Sequence, residues 1–112
     1  MDFAALKAAG IRLLSIDEHI HVVQGLGRGR SPFSNAILVL DKRTALIDTG
    51  CGLSIIEKLL ELVRLDLVLN THSHPDHTGG NWLVRERSGA RIVVPKEGLD
   101  SIGSTDKLGV RM

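Results

Sequence analysis

Residues 71–81 read THSHPDHTGGN, and this stretch holds three of the chain's five histidines together with an aspartate. His72 and His74 are two apart. On an extended segment residues i and i+2 point to the same side, so both imidazoles can face one point. Pro75 turns the chain, and Asp76 and His77 then project beside that point. The pattern offers two neighbouring metal positions, His72 with His74 and Asp76 with His77. Imidazole nitrogen with carboxylate oxygen suits zinc, one ion or two, with iron or manganese as alternatives. Two ions roughly 3.5–4 Å apart would acidify a shared water and present it to a carbonyl or phosphoryl centre. Gly79 and Gly80 let the backbone pass closely, and Asn81 stands where a helix beginning at Trp82 takes its N-cap.

The elements that position these groups follow from hydrophobic patterning. Two apolar stretches, 11–16 and 20–23, form a hairpin turning near Asp17 and Glu18. The glycines of GLGRGRSP, with Pro32, make residues 25–32 a loop. A second hairpin pairs 35–40 with 44–47 around Asp41, Lys42 and Arg43. Asp48-Thr49-Gly50 ends it, and a helix follows, with Ser54 and Glu57 spaced as a capping box. Ile55, Ile56, Leu59, Leu60 and Val63 recur on one side of that helix, and Glu57, Lys58, Glu61 and Arg64 on the other. Residues 65–70 are a buried strand ending at the histidine loop. A short helix over 82–87, closed by Gly89, and a strand over 91–94 come next. The fold class is α/β (α+β), with the polar cluster beyond a strand's carboxyl end, where open sheets place ligands.

The chain of 112 residues has room for a single domain, 1–112, with a modest core. A hydrophobic fraction of 43% and a charged fraction of 24% belong to ordinary globular protein. The net charge of +1 speaks against a nucleic-acid or acidic-membrane partner. One cysteine, Cys51, excludes an intrachain disulfide. Asp2 and Lys7 interrupt the apolar N-terminus, so it does not read as a signal peptide, and no apolar run reaches membrane-spanning length. The expectation is a cytoplasmic protein.

The His72, His74, Asp76, His77 pattern resembles the H-x-H-x-D-H signature of the metallo-β-lactamase superfamily, and the TGGN that follows is similar to its glyoxalase II-type hydrolases. Asn35 ahead of a strand and Asp48-Thr49-Gly50 before the first helix agree in order. The resemblance implies an αββα sandwich and a metal-dependent hydrolase in which activated water attacks an ester, thioester or amide of a small-molecule substrate. A mononuclear iron sulfur dioxygenase-type oxidoreductase is the alternative. His72 and His74 would hold the first metal, Asp76 and His77 the second. Asp76 would also handle the attacking water, making it the catalytic residue. Asp48 would lie beneath, orienting a ligand by hydrogen bonding, although Asp-Thr-Gly is equally ordinary turn chemistry. Family members complete the site with downstream histidines and an aspartate that this chain lacks after His77; Asp100 and Asp106 come too soon. The chain therefore resembles the N-terminal half of the domain. Alone it is expected to be nearly inactive, and to form a homo-oligomer or take up a complementing C-terminal half.

Other residues weigh less. His19 and His21, alternating around Ile20, read as a solvated strand face. The glycine loop lacks the following helix of a dinucleotide site, so Arg28 and Arg30 read as solvated, with a place near an anionic substrate as the alternative. Cys51 reads as a small, partly buried thiol rather than a nucleophile, and Trp82 as packing its helix onto the sheet.

Overall fold

The computed structural model describes residues 3–71 and 74–95, with Pro75 and Asp76 represented by their backbone. Helix α1 (Phe3–Ala8) opens the chain, a segment whose periodicity is too short to read from sequence. Strands β1 (Leu13–Ser15), β2 (Ile20–Val23), β3 (Ala36–Leu40) and β4 (Thr44–Ile47) follow as an antiparallel meander. Helix α2 (Leu53–Leu62) carries the chain to β5 (Leu67–Leu69), parallel to β4. A single turn, α3 (Pro75–Thr78), and α4 (Asn81–Ser88) lead to β6 (Arg91–Val93), parallel to β5. The six strands lie in chain order, β1 through β6.

Register explains the core. His21, Leu38, Leu46, Val68 and Ile92 are successive cross-strand partners. All five are buried, in one layer with Leu6 of α1, Ile55, Ile56 and Leu59 of α2, and Leu83 and Val84 of α4. Alternation puts Val22, Ile37, Ile47, Leu69 and Val93 in a second row on the opposite face, and these are only half-buried. One face of the sheet is thus closed by helices. The other is an apolar surface that the described residues leave partly open.

Several local expectations are corrected. Ser54 and Glu57 do not box the start of α2: the N-cap is Gly52, at φ 118, without a side-chain cap bond. The helix begins two residues earlier than a Ser54 cap would require. Trp82 does not pack onto the sheet and is 48% exposed, because α4 turns Leu83 and Val84 inward instead. Gly89 does close α4, in the left-handed conformation at φ 68. The two histidines of the first hairpin part company. His19 precedes β2 and is exposed; its Nδ1 lies 2.7 Å from the Leu40 carbonyl, which holds its pKa above the usual imidazole value. His21 is 1% exposed, not solvated. Its Nε2 donates to the Glu18 carbonyl at 3.3 Å, so Nδ1 accepts the Ser15 hydroxyl at 2.8 Å, and its ring sits 4.7 Å from that of Phe3. A buried imidazole satisfied at both nitrogens is a packing residue. None of the described helices is long and apolar enough to cross a membrane.

Candidate metal centre

Strands β4, β5 and β6 all end at one edge of the sheet, and the histidine loop leaves from β5 there. Asp48 follows β4 directly. Its N–H donates to the Leu69 carbonyl at 2.8 Å, which continues the β4–β5 pairing by one residue. Its φ is 66, a left-handed conformation that aspartate tolerates better than most side chains. That backbone turns the carboxylate toward the loop, where the residue is 4% exposed. Oδ1 accepts the Thr71 N–H and Oδ2 accepts the Thr71 hydroxyl, each at 2.8 Å. Oδ2 also accepts a hydrogen bond from the His77 Nδ1–H at 2.8 Å. One buried carboxylate therefore grips both sides of the loop.

The His77 contact decides the ring's chemistry. A carboxylate can only accept, so Nδ1 carries a proton in this contact and Nε2 is the ring nitrogen turned away from Asp48. A carboxylate behind a histidine fixes both tautomer and ring orientation, an arrangement typical of metal-ligating histidines. Asp48 stands in the turn that ends β4, and its carboxylate hydrogen-bonds His77, one of the residues expected from sequence to be a ligand.

Pro75 stands at the first position of α3, where its missing N–H costs nothing. The His74 carbonyl begins this helical turn, accepting the N–H groups of His77 and Thr78 at 2.9 and 3.2 Å. His74 is exposed and His77 half-buried. His72 lies outside the described residues, so its expected convergence with His74 does too. Asp76 is placed within α3 by its backbone alone. Among the described residues no group of three or more histidine, cysteine, aspartate or glutamate side chains gathers as a metal site. The imidazoles of the two described histidines have the donor chemistry of a borderline divalent ion such as zinc or iron, and the His77 ring is fixed by Asp48.

Behind the loop lies a polar network that sequence reasoning missed. Asn81 is not an N-cap; Gly80 holds that position, and Asn81 is the first residue of α4, 1% exposed. Its Oδ1 accepts the Thr49 hydroxyl at 2.7 Å and the Asn70 amide at 3.2 Å. Its Nδ2 donates to Asn70 Oδ1 at 2.7 Å. Thr49 Oγ1 in turn accepts the Gly80 N–H at 3.1 Å, and the Thr49 N–H donates to the His77 carbonyl at 2.8 Å. Asn70 and Asn81 flank the loop, so their amide pair ties its two ends together. A side chain on Gly80 would meet the Thr49 carbonyl oxygen at 2.5 Å, which is why that position needs glycine. The available signal was polar: an asparagine ending an apolar strand and another opening a helix both ask for buried partners. Nearby, burial pushes the Cys51 thiol up to about 12, so it is inert rather than nucleophilic.

Comparison with known proteins bears on the family and the fold. The family model described as "Metallo-beta-lactamase superfamily" matches residues 30–112. A hydroxyacylglutathione hydrolase of Albidiferax ferrireducens is 42% identical over 60 residues, covering 52% of this chain and 24% of that protein. A probable metallo-hydrolase of Methanocaldococcus jannaschii is 29% identical over 82 residues, covering 69% of this chain and 40% of its own length. The chain thus spans well under half of these relatives. Among solved structures, the DIM-1 metallo-beta-lactamase superposes with a TM-score of 0.67 at 20% identity, over 80% of this chain and 45% of that one. The rubredoxin oxygen:oxidoreductase of Desulfovibrio gigas gives 0.66 at 18% identity, over 90% of this chain and 30% of that one. At such identities these structures speak to the fold.

Proposed function

The chain belongs to the metallo-β-lactamase superfamily, and from that premise we propose that it supplies the N-terminal ligand set of a metal-dependent hydrolase acting on an ester, thioester or amide. The observation that carries this reading is the 2.8 Å contact between His77 Nδ1 and the buried Asp48 carboxylate. Surface histidines have no need of a buried carboxylate aimed at one nitrogen.

His72 and His74 would hold one metal position and Asp76 and His77 the other, with zinc the ion best matched to this donor set. The bound ion supplies Lewis acidity, polarising the substrate carbonyl and lowering the pKa of water. The remaining work belongs to the chain. Asp48 keeps the Nδ1 proton on His77 and holds the ring in place. The Asp76 carboxylate takes the proton of the attacking water. The Asn70–Asn81 pair keeps the two ends of the loop at a fixed separation.

The test is metal binding by the purified chain, followed through cobalt absorption and zinc titration calorimetry. Saturable binding that is lost in His74→Ala and His77→Ala supports the reading, and binding indifferent to both substitutions overturns it. Retention of iron with oxygen uptake on a thiol substrate would move the assignment to an oxidoreductase.

A further inference from the structure

At the sheet end that carries the histidine loop, on the β1–β2 side, four cationic side chains from four segments surround Gly10. Arg12 precedes β1 and Arg28 stands in the turn after β2; with Gln24 and the Gly10 backbone they line a concavity of about 320 Å³. Lys7 of α1 and Arg12 share an adjoining concavity of about 580 Å³ across Gly10. The Lys58 ammonium, from α2, lies 3.5 Å from where a Cβ on Gly10 would stand. None of the four makes an ion pair with a carboxylate among the described residues, whereas Glu18, Asp48 and Glu57 all have cationic or histidine partners elsewhere. Like charges lining one cleft repel, and no ion pair among the described residues offsets them. Arginine forks with a nearby ammonium match the oxygens of phosphate or carboxylate, and a cavity of this size suits a small ligand.

Position relates this cleft to the metal loop. Gln24 follows β2 and donates its N–H to the Arg12 carbonyl at 2.9 Å, while Asp48 and Thr71 follow β4 and β5 at the same sheet end. Two to four strand spacings of about 4.8 Å separate them, roughly 10–20 Å. That is the reach of an extended small molecule whose reactive carbonyl lies at one end and whose charge lies at the other.

We propose that Arg12 and Arg28, supported by Lys7 and Lys58, bind a multiply charged oxyanion group, the remote anionic end of the substrate. Only the word substrate rests on the hydrolase reading; the anion site stands on its own geometry. The experiment uses metal-free purified chain, so its failure is separable from failure of the metal centre. Backbone amide NMR shifts are followed on adding inorganic pyrophosphate or, separately, citrate, with Arg12→Glu, Arg28→Glu and the double variant in parallel. These are exposed positions, and unchanged spectra away from the cleft verify the fold. Saturable shifts around Gly10 and Gln24, weakened about tenfold by each single charge reversal and by added salt, support the proposal. Which of the two anions saturates assigns phosphate or carboxylate. No saturation up to about 10 mM of either anion, well into the weak millimolar range, or equal binding by the double variant, overturns it.

Discussion

Asn81→Ala should be among the most damaging single substitutions available near the site. Asn81 is almost wholly buried and makes three side-chain hydrogen bonds, two with Asn70 and one with Thr49. Alanine leaves both ends of the Asn70 amide and the Thr49 hydroxyl proton without these partners. Each stranded buried group costs about 1–3 kcal/mol, and a water entering the vacated space recovers part of it. The Thr49 oxygen keeps its Gly80 donor, so the sum comes to about 2–4 kcal/mol. With a urea slope of roughly 1–2 kcal/mol per molar for a small domain, the unfolding midpoint should fall by about 2 M. The assay is urea unfolding followed by far-ultraviolet circular dichroism, run as a double-mutant cycle with Asn70→Ala. The two residues bond each other, so their effects should be strongly non-additive, coupled by about 1–2 kcal/mol. Additive losses below about 0.5 kcal/mol each, the scale of an ordinary surface change, would refute the account of a buried amide clamp.

Other expectations follow from the same contacts. Asp48→Ala removes the group orienting His77 and should weaken zinc binding about 10- to 100-fold, measured by competition with a chromogenic chelator; unchanged affinity would detach Asp48 from the metal. Gly80→Ala forces a Cβ against the Thr49 carbonyl oxygen and should destabilise by about 1–3 kcal/mol in the same urea assay. The Cys51 thiol is raised from 9.0 to about 12, so folding favours its protonated form. That contribution is intact below pH 9 and is lost as pH rises toward 12. Wild-type stability should therefore fall more steeply than that of Cys51→Ala above pH 9, and native protein near neutral pH should not react with Ellman's reagent. The chain on its own should self-associate through the apolar face bearing Val22, Ile37, Ile47, Leu69 and Val93, read by light scattering; a strict monomer at tens of micromolar, where weak contacts already show, argues against this.

Much of the frame was legible because alternation and helical spacing are local properties. The two hairpins, α2, β5, α4 and β6 are all written as short runs whose period names the element. What escaped depended on long-range partners. The Ser54–Glu57 spacing fits a capping box, yet Gly52 starts the helix because the close backbone packing beside Leu26 and Cys51 sets where α2 begins. His21 looked polar and hence wet, but strand register opposite Leu38 carries it under α1. At the loop, THSHPDHTGGN showed the residue types in sequence, and Asp48, which the structure bonds to His77, stood out as a candidate partner. The Asn81–Asn70–Thr49 network was not, since the partners lie 11 and 32 residues apart and no periodicity links them.

The chain-order sheet has a consequence for how the protein is made. Every strand pairs with its immediate predecessor, so each new strand can dock on a finished edge as it emerges, without waiting for distant sequence. The ties that secure the histidine loop behave differently. Asp48 waits for Thr71 and His77, and Thr49 waits for Asn81, so the residues left after β4 stay unsatisfied until β5, α3 and α4 have all arrived. The histidine loop is accordingly locked later than the antiparallel meander that precedes it. A chain ended before Asn81 would hold the loop through Asp48 and Thr49 alone, without the Asn70–Asn81 amide clamp.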